Sequence, residues 1–274
     1  MKLVHPDFET PKELNQLEIY QDEGVYCLIP KDKKDKLSYF LNSFDNYRTQ
    51  TNQKITDSNL YSNLPFSIND NSWKSKQKDI YIVDKICGTR KELRILDIGG
   101  WNGWLSNYLT MKGHTSVTTD IFIDRFDGLK AVNHYNNPFV ALQLLPNEIW
   151  RVQESFDLII FNRNWAYLEN HQEILSMAKS KLNKNGTILF TGLTFYKNSS
   201  KIEKQISESS DYFEKKYGIP LLYFKTKGFL NNVDLAFLKN ETTLFPYNVL
   251  KTLLKRLFLS KKNHQFAIYR QNET

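Results

Sequence analysis

The sequence predicts an α/β protein with a doubly wound, mostly parallel sheet. Three observations carry that expectation. Arg94, Ile95, Leu96, Asp97 and Ile98 form a short, largely apolar run, followed by Gly99, Gly100 and Gly103 and then an amphipathic segment. Physically this is a buried strand, a tight turn that brings backbone close to a ligand, and a helix N-terminus. Leu158, Ile159, Ile160 and Phe161 are apolar without alternation, as in a strand buried on both faces. Strand-like and helix-like segments then alternate five times over about a hundred residues, the pattern of parallel crossover units.

Along the chain, Val25 to Ile29 reads as a strand ended by Pro30. The charge-rich 31–36 reads as a turn, 37–44 as a weak helix and 46–62 as a polar loop. Residues 1–66 are therefore expected to form an N-terminal extension, either a cap or a small separate lobe. Segment 68–86 is helical, with Trp73, Tyr81, Ile82 and Ile86 near one face. The first core helix starts at Gly103 and stops at Lys112 and Gly113. A strand over 116–119 ends at Asp120, a helix over 125–135 follows, and a strand over 139–143 ends at Gln143. The spacing predicts a helix-like connection over 148–154 and a helix over 171–182. It then predicts a turn at Asn185 and Gly186 and a strand over 187–191. Beyond the core, 200–217 reads as a charged inserted helix and 221–224 as a strand. A short helix over 231–239 and a last antiparallel strand over 265–270 complete the reading.

With 274 residues, 41% hydrophobic and 14% aromatic, the chain is long and apolar enough for one large domain with an extension. The net charge of +7 suits an acidic partner such as RNA or a lipid headgroup, but the lysines are dispersed, as on a solvated surface. Segment 249–258, from Val249 to Phe258, is a basic amphipathic stretch that fits a membrane surface, a partner, or its own domain. Cys27 and Cys87 form no paired motif, which suits a reducing, cytoplasmic setting, and the five histidines lack metal-ligand spacing. The first residues lack the apolar core of a secretory signal.

The stretch from Asp97 to Gly103 resembles motif I of the class I S-adenosylmethionine-dependent methyltransferases, Asp-x-Gly-x-Gly-x-Gly, with Trp101 standing where the middle glycine is usual. The dinucleotide pattern Gly-x-Gly-x-x-Gly fails, because its glycines would fall on Trp101 and Trp104 or on Asn102. The run Phe156, Asp157, Leu158 is similar to strand four of the same enzymes, and Asn185-Gly186 to their turn before strand five. The resemblance implies a seven-stranded sheet, a methyltransferase domain over 67–274 with its core at 82–193, and a helical insertion and last strands within 194–274. It implies S-adenosyl-L-methionine as cofactor and S-adenosyl-L-homocysteine as product. The implied cofactor residues are Asp97, Gly99, Gly100, Trp101, Asn102, Gly103, Asp120, Ile121, Gln143, Leu144 and Asn162. Among them Asp120 would receive the ribose hydroxyls, while Gln143 and Leu144 would stand at the adenine. A helix before the first strand covers the cofactor in many such enzymes, which here points to Trp73, Lys74 and Tyr81.

A closer likeness is to a bacterial subgroup whose strand-four loop reads Phe-Asn-Ala-Ser-Leu-His-Tyr. Here the loop is Phe161-Asn162-Arg163-Asn164-Trp165-Ala166-Tyr167, with Ala166 in place of the histidine. Methyl transfer is an in-line displacement that depends on alignment and exclusion of water, and needs a base only for a protonated nucleophile. Asn162, Asn164, Tyr167 and Tyr196 are the candidates for orienting the acceptor. The expected reaction is methylation of O or N on a small molecule. RNA or protein methylation and a non-catalytic cofactor-binding subunit are the alternatives.

Overall fold

Isoleucine, leucine and phenylalanine fill the strands that run through the middle of the molecule, and helices cover both faces. The computed structural model describes residues 20–137, 139–247 and 262–271. Two short strands, β1 (Tyr20–Asp22) and β2 (Val25–Cys27), come first. The central strands are β3 (Arg94–Ile98), β4 (Thr115–Asp120), β5 (Val140–Gln143), β6 (Phe156–Asn162) and β7 (Leu182–Tyr196), and β8 (Thr243–Pro246) and β9 (Lys262–Arg270) close the chain. Together they form one sheet in the order β1-β2-β5-β4-β3-β6-β7-β9-β8. Pairing is parallel from β2 to β7, and antiparallel for β1 against β2 and for β9 against both β7 and β8.

The described sheet therefore has nine strands rather than seven. The two extra strands come from the N-terminal residues, where β2 continues the parallel sheet beyond β5. Strand order reverses at β3: β4 and β5 lie to one side, β6 and β7 to the other. In open α/β sheets the crevice beyond the carboxyl ends at such a point is where ligands bind.

Helices α2 (Asn71–Cys87) and α3 (Trp104–Met111) cover one face through Trp73, Ile80, Val83 and Leu105. The other face is covered by α4 (His171–Ser180), α6 (Asn232–Glu241) and a 3-10 turn over Pro146–Arg151, through Ile174, Leu175, Leu238 and Ile149. The N-terminal helix α1 (Lys31–Gln50) packs Leu37 and Phe40 onto Ile121 and Leu145, the residues just past β4 and β5. The inserted helix α5 (Ser200–Tyr217) is pinned to α1 by Phe213, fully buried against Phe44 and Tyr47.

Several elements differ from the sequence reading. Residues 31–36 belong to α1, which also runs to Gln50. The helix expected over 125–135 is reduced to a 3-10 turn at Leu129–His134, because Asp124 captures the N–H groups of Phe126 and Asp127 and Gly128 is extended. The connection over 148–154 is the 3-10 turn of Pro146–Arg151. Segment 221–224 forms no strand; Tyr223 packs against Phe40 of α1 instead. The strand expected over 187–191 runs from Leu182 to Tyr196, with its pairing to β9 interrupted between Phe190 and Leu193. Segment 249–258 lies outside the described residues.

The start of α2 is fixed by Asp70, whose carboxylate accepts the Trp73 N–H at 2.8 Å. Asp70→Ala is expected to lower the unfolding free energy by about 1 kcal/mol, the usual loss of such a cap, as read from urea denaturation.

Candidate functional site

The turn after β3 is shaped by close approach. Gly99 is left-handed (φ +66°), and a Cβ there would overlap the Asn164 amide. A Cβ on Gly100 would stand 2.6 Å from Asp97 Oδ2 and would overlap Thr118. Trp101 is also left-handed (φ +56°), an uncommon state for a residue with a side chain, at the position where the resembled motif has glycine. Its indole stacks on Trp73 of α2, with ring centroids 6.1 Å apart, and lies beneath the cations of Arg48 and Lys76. Gly103 then caps α3. Asn102 is buried, its Oδ1 3.4 Å from the Trp104 N–H.

Asp97 is fully buried, and neither of its oxygens has a hydrogen-bond partner among the described residues. Burial, and then the charge of Asp120, push its carboxyl up to about 8. A buried acid without a donor is costly unless a partner arrives. A cationic ligand group would supply the missing partner, and S-adenosylmethionine carries an ammonium and a sulfonium, so Asp97 fits this cofactor. Asp120 ends β4. Its Oδ2 accepts the Trp101 N–H at 2.7 Å, and its Oδ1 accepts those of Ile121 at 2.7 Å and Phe122 at 3.1 Å. Burial raises it to about 6 and these N–H groups hold it back. A carboxylate has about four acceptor positions, so three N–H bonds leave room for a hydroxyl. Beside it, the Gln143 amide donates to the Ile121 carbonyl at 3.0 Å, and the Leu144 N–H to the Asp120 carbonyl at 3.0 Å.

The chain leaving β6 reaches in two directions. The Asn164 amide donates to the carbonyls of Ile98 and Gly99, clamping the glycine turn. The Asn162 amide donates to Thr191 Oγ1 at 2.7 Å and Asp79 Oδ2 at 3.3 Å. Asp79, on α2 and fully buried, also takes the Arg163 guanidinium and, at 2.6 Å, the Tyr247 hydroxyl. Asp79, Arg163 and Tyr247 escaped the sequence reading. The available signal was an acid beside the apolar stripe of a predicted helix. On that helix Trp73 and Lys76 reach the glycine turn, whereas Lys74 and Tyr81 are exposed.

Next to this network lies a cavity of about 270 Å³ whose lining includes Arg163, Tyr167, Tyr196, Ile206 and Phe229. Tyr167 and Tyr196 are thus brought together, while Asn162 and Asn164 are not among the lining residues because their amides are turned to Asp79 and the glycine turn. Ala166 lines the wall where the resembled subgroup has histidine. Burial raises the Tyr167 hydroxyl above its ordinary value, so it stays protonated at neutral pH. Among the described residues, no cluster of three or more His, Cys, Asp or Glu is placed to hold a metal ion, and no helix is long and apolar enough to cross a membrane.

The family model described as "Methyltransferase domain" matches residues 74–213, about half of the chain. The chain belongs to the methyltransferase domain family. As a class I methyltransferase it uses S-adenosylmethionine as methyl donor. No curated protein matches its sequence. A solved structure named as a candidate sarcosine dimethylglycine methyltransferase of Galdieria sulphuraria is similar in fold, with a TM-score of 0.53 at 14% identity over 84% of this chain and 98% of that one. The plantazolicin methyltransferase BpumL, solved with SAH, gives a TM-score of 0.49 at 14% identity over 88% and 97%.

The state of Asp97 gives this methyltransferase a pH signature. A carboxyl held above its ordinary 3.8 favours the fold fully below that value, and the contribution is lost as pH rises toward 8. Asp120 and Asp127, raised to about 6, titrate earlier, and His114 and His171, lowered by burial, act below 6.5. The melting temperature of the free protein is therefore expected to fall between about pH 6.5 and 7.5, below the range where Lys76, lowered to about 8, acts in the opposite sense, and to fall less there in Asp97→Asn. Thermal unfolding across that range checks it. The same variant should bind S-adenosylmethionine more weakly.

Proposed function

We propose that the protein methylates an oxygen or nitrogen of a small molecule held in the cavity beside β6 and β7. One observation carries this reading: consecutive residues serve both sites. Arg163 lines the cavity, while Asn164 grips the carbonyls of Ile98 and Gly99 in the glycine turn. An acceptor in the cavity therefore lies next to the loop assigned to the methyl donor. The volume and mixed aromatic lining suit a compound of one or two rings rather than a polymer segment.

In this reading Asp97 faces the cationic end of the cofactor, Asp120 takes ribose hydroxyls, Gln143 and Leu144 border the adenine, and backbone N–H groups of the turn from Gly99 to Gly103 complete the seat. When bound, S-adenosylmethionine supplies an activated methyl group. The chain supplies alignment and a dry surround. Tyr167 and Tyr196 orient the accepting atom by hydrogen bonding. The Tyr167 hydroxyl, whose ionisation is pushed upward, does not serve as a base at neutral pH, and Ala166 offers none. The favoured acceptor therefore arrives already nucleophilic, as a phenolate, carboxylate or neutral amine.

A methyl-acceptor screen with release of S-adenosylhomocysteine as readout tests the reading. Turnover of a ring-sized acceptor is expected, and cofactor binding without any turnover would favour a non-catalytic binder. Asp120→Ala is expected to weaken S-adenosylmethionine binding by about 1–3 kcal/mol in calorimetry, the loss typical of removing a charged acceptor from a hydrogen bond. The double variant Tyr167→Phe with Tyr196→Phe is expected to lower kcat by about tenfold or more and leave cofactor affinity unchanged.

A further inference from the structure

Arg163 is the one charged residue among the described residues that line the cavity; the rest of the wall is aromatic, aliphatic or neutral. Its placement is costly. Its backbone is left-handed (φ +60°), a state that side chains disfavour and that functional positions retain. Gly192 opposite it is also left-handed (φ +64°), and a Cβ there would stand 3.1 Å from the Arg163 Cβ and overlap its Cγ. The chain thus opens a space on β7 for this one side chain.

The guanidinium is held on two of its three nitrogens. Nε and Nη2 meet the Asp79 carboxylate, Nη2 at 3.2 Å from Oδ1, and Nη2 also donates to the Ser75 carbonyl at 2.9 Å. The remaining capacity of Asp79 is taken by the Tyr247 hydroxyl and the Asn162 amide. Nη1 has no hydrogen-bond partner among the described residues. Asp79 balances one positive charge at this corner, and Lys76, one turn away on α2, adds another. The Lys76 amine is drawn down to about 8, by burial first and by Arg163 next, while Asp70 and Asp79 pull it upward.

Resting on the reading of this cavity as the acceptor site, the geometry points to Arg163 as the residue that selects an anionic acceptor: a small compound with a flat apolar body whose carboxylate is received by Nη1. The paired nitrogens fix the plane of the fork in advance, so little side-chain freedom is lost when the anion binds. A single free nitrogen with two N–H groups matches a carboxylate better than a phosphate dianion, which calls for more donors. The aromatic and aliphatic wall takes the rest of the molecule.

The test is calorimetry on the whole protein with phenylacetate and 4-hydroxyphenylacetate, each against its carboxamide, with and without S-adenosylhomocysteine. The carboxylates are expected to bind at least about tenfold more tightly than the carboxamides, the value of one charge-assisted hydrogen bond. Arg163→Gln is expected to erase that preference and Arg163→Lys to keep part of it. No preference in the unaltered protein, no binding of any of the four probes, or a preference unchanged in Arg163→Gln would overturn the inference. The comparison within the unaltered protein holds even if Arg163→Gln folds poorly. Failure of S-adenosylhomocysteine to bind would count against the methyl-transfer reading, and the series without it would still decide the role of Arg163.

Discussion

Gly100 closes over Asp97 so tightly that the acid is sealed beneath the turn with no donor among the described residues. Everything around it accommodates that contact. The glycines exist because side chains at those points would strike Asn164, Thr118 or the acid itself. The carboxyl stays protonated near neutrality because burial first, and the charge of Asp120 next, oppose its ionisation. Such an arrangement trades stability of the free fold for affinity toward a cation. The same trade recurs in many sites where a ligand completes an unpaired group.

The second constraint is the Asp79 network. It ties the helix before the first core strand to the loop after β6 and to the kinked part of β7. The helix meets the glycine turn through Trp73, β7 lines the cavity, and the loop does both through Asn164 and Arg163. A hydrogen-bonded, fully buried acid at their junction gives them one shared geometry. The Tyr247 hydroxyl extends the junction by accepting the Gly192 N–H at 2.6 Å, so the left-handed residue on β7 is anchored as well.

Much of this architecture could be read from residue patterns. The central strands announce themselves because they are buried on both faces, and Asp97, the three glycines and Asp120 mark their exits. Trp101 was legible as a departure from the glycine pattern, yet its left-handed backbone and its stacking on Trp73 depend on α2 and could not be foreseen from the turn alone. The helix expected around Phe126 failed because a single Asp124 side chain outcompeted the helical N–H bonds. Asp79 and Arg163 lie 84 residues apart in sequence, and no local pattern links them. Residues 31–36 looked like a turn because their charges hide a helix whose buried side begins only at Leu37.

The stretch that matches the family stops at residue 213, which is Phe213, the ring that fastens α5 to α1. It also starts inside α2 and leaves out β2, which flanks β5, and β9, which flanks β7. A fragment cut along those borders would lose Leu221, Leu222, Phe229 and Leu230 from the wall of the cavity and bare the backbone of two strands at once. The part of the cavity wall that α5 supplies is therefore held in place by α1, which lies wholly outside the matched stretch.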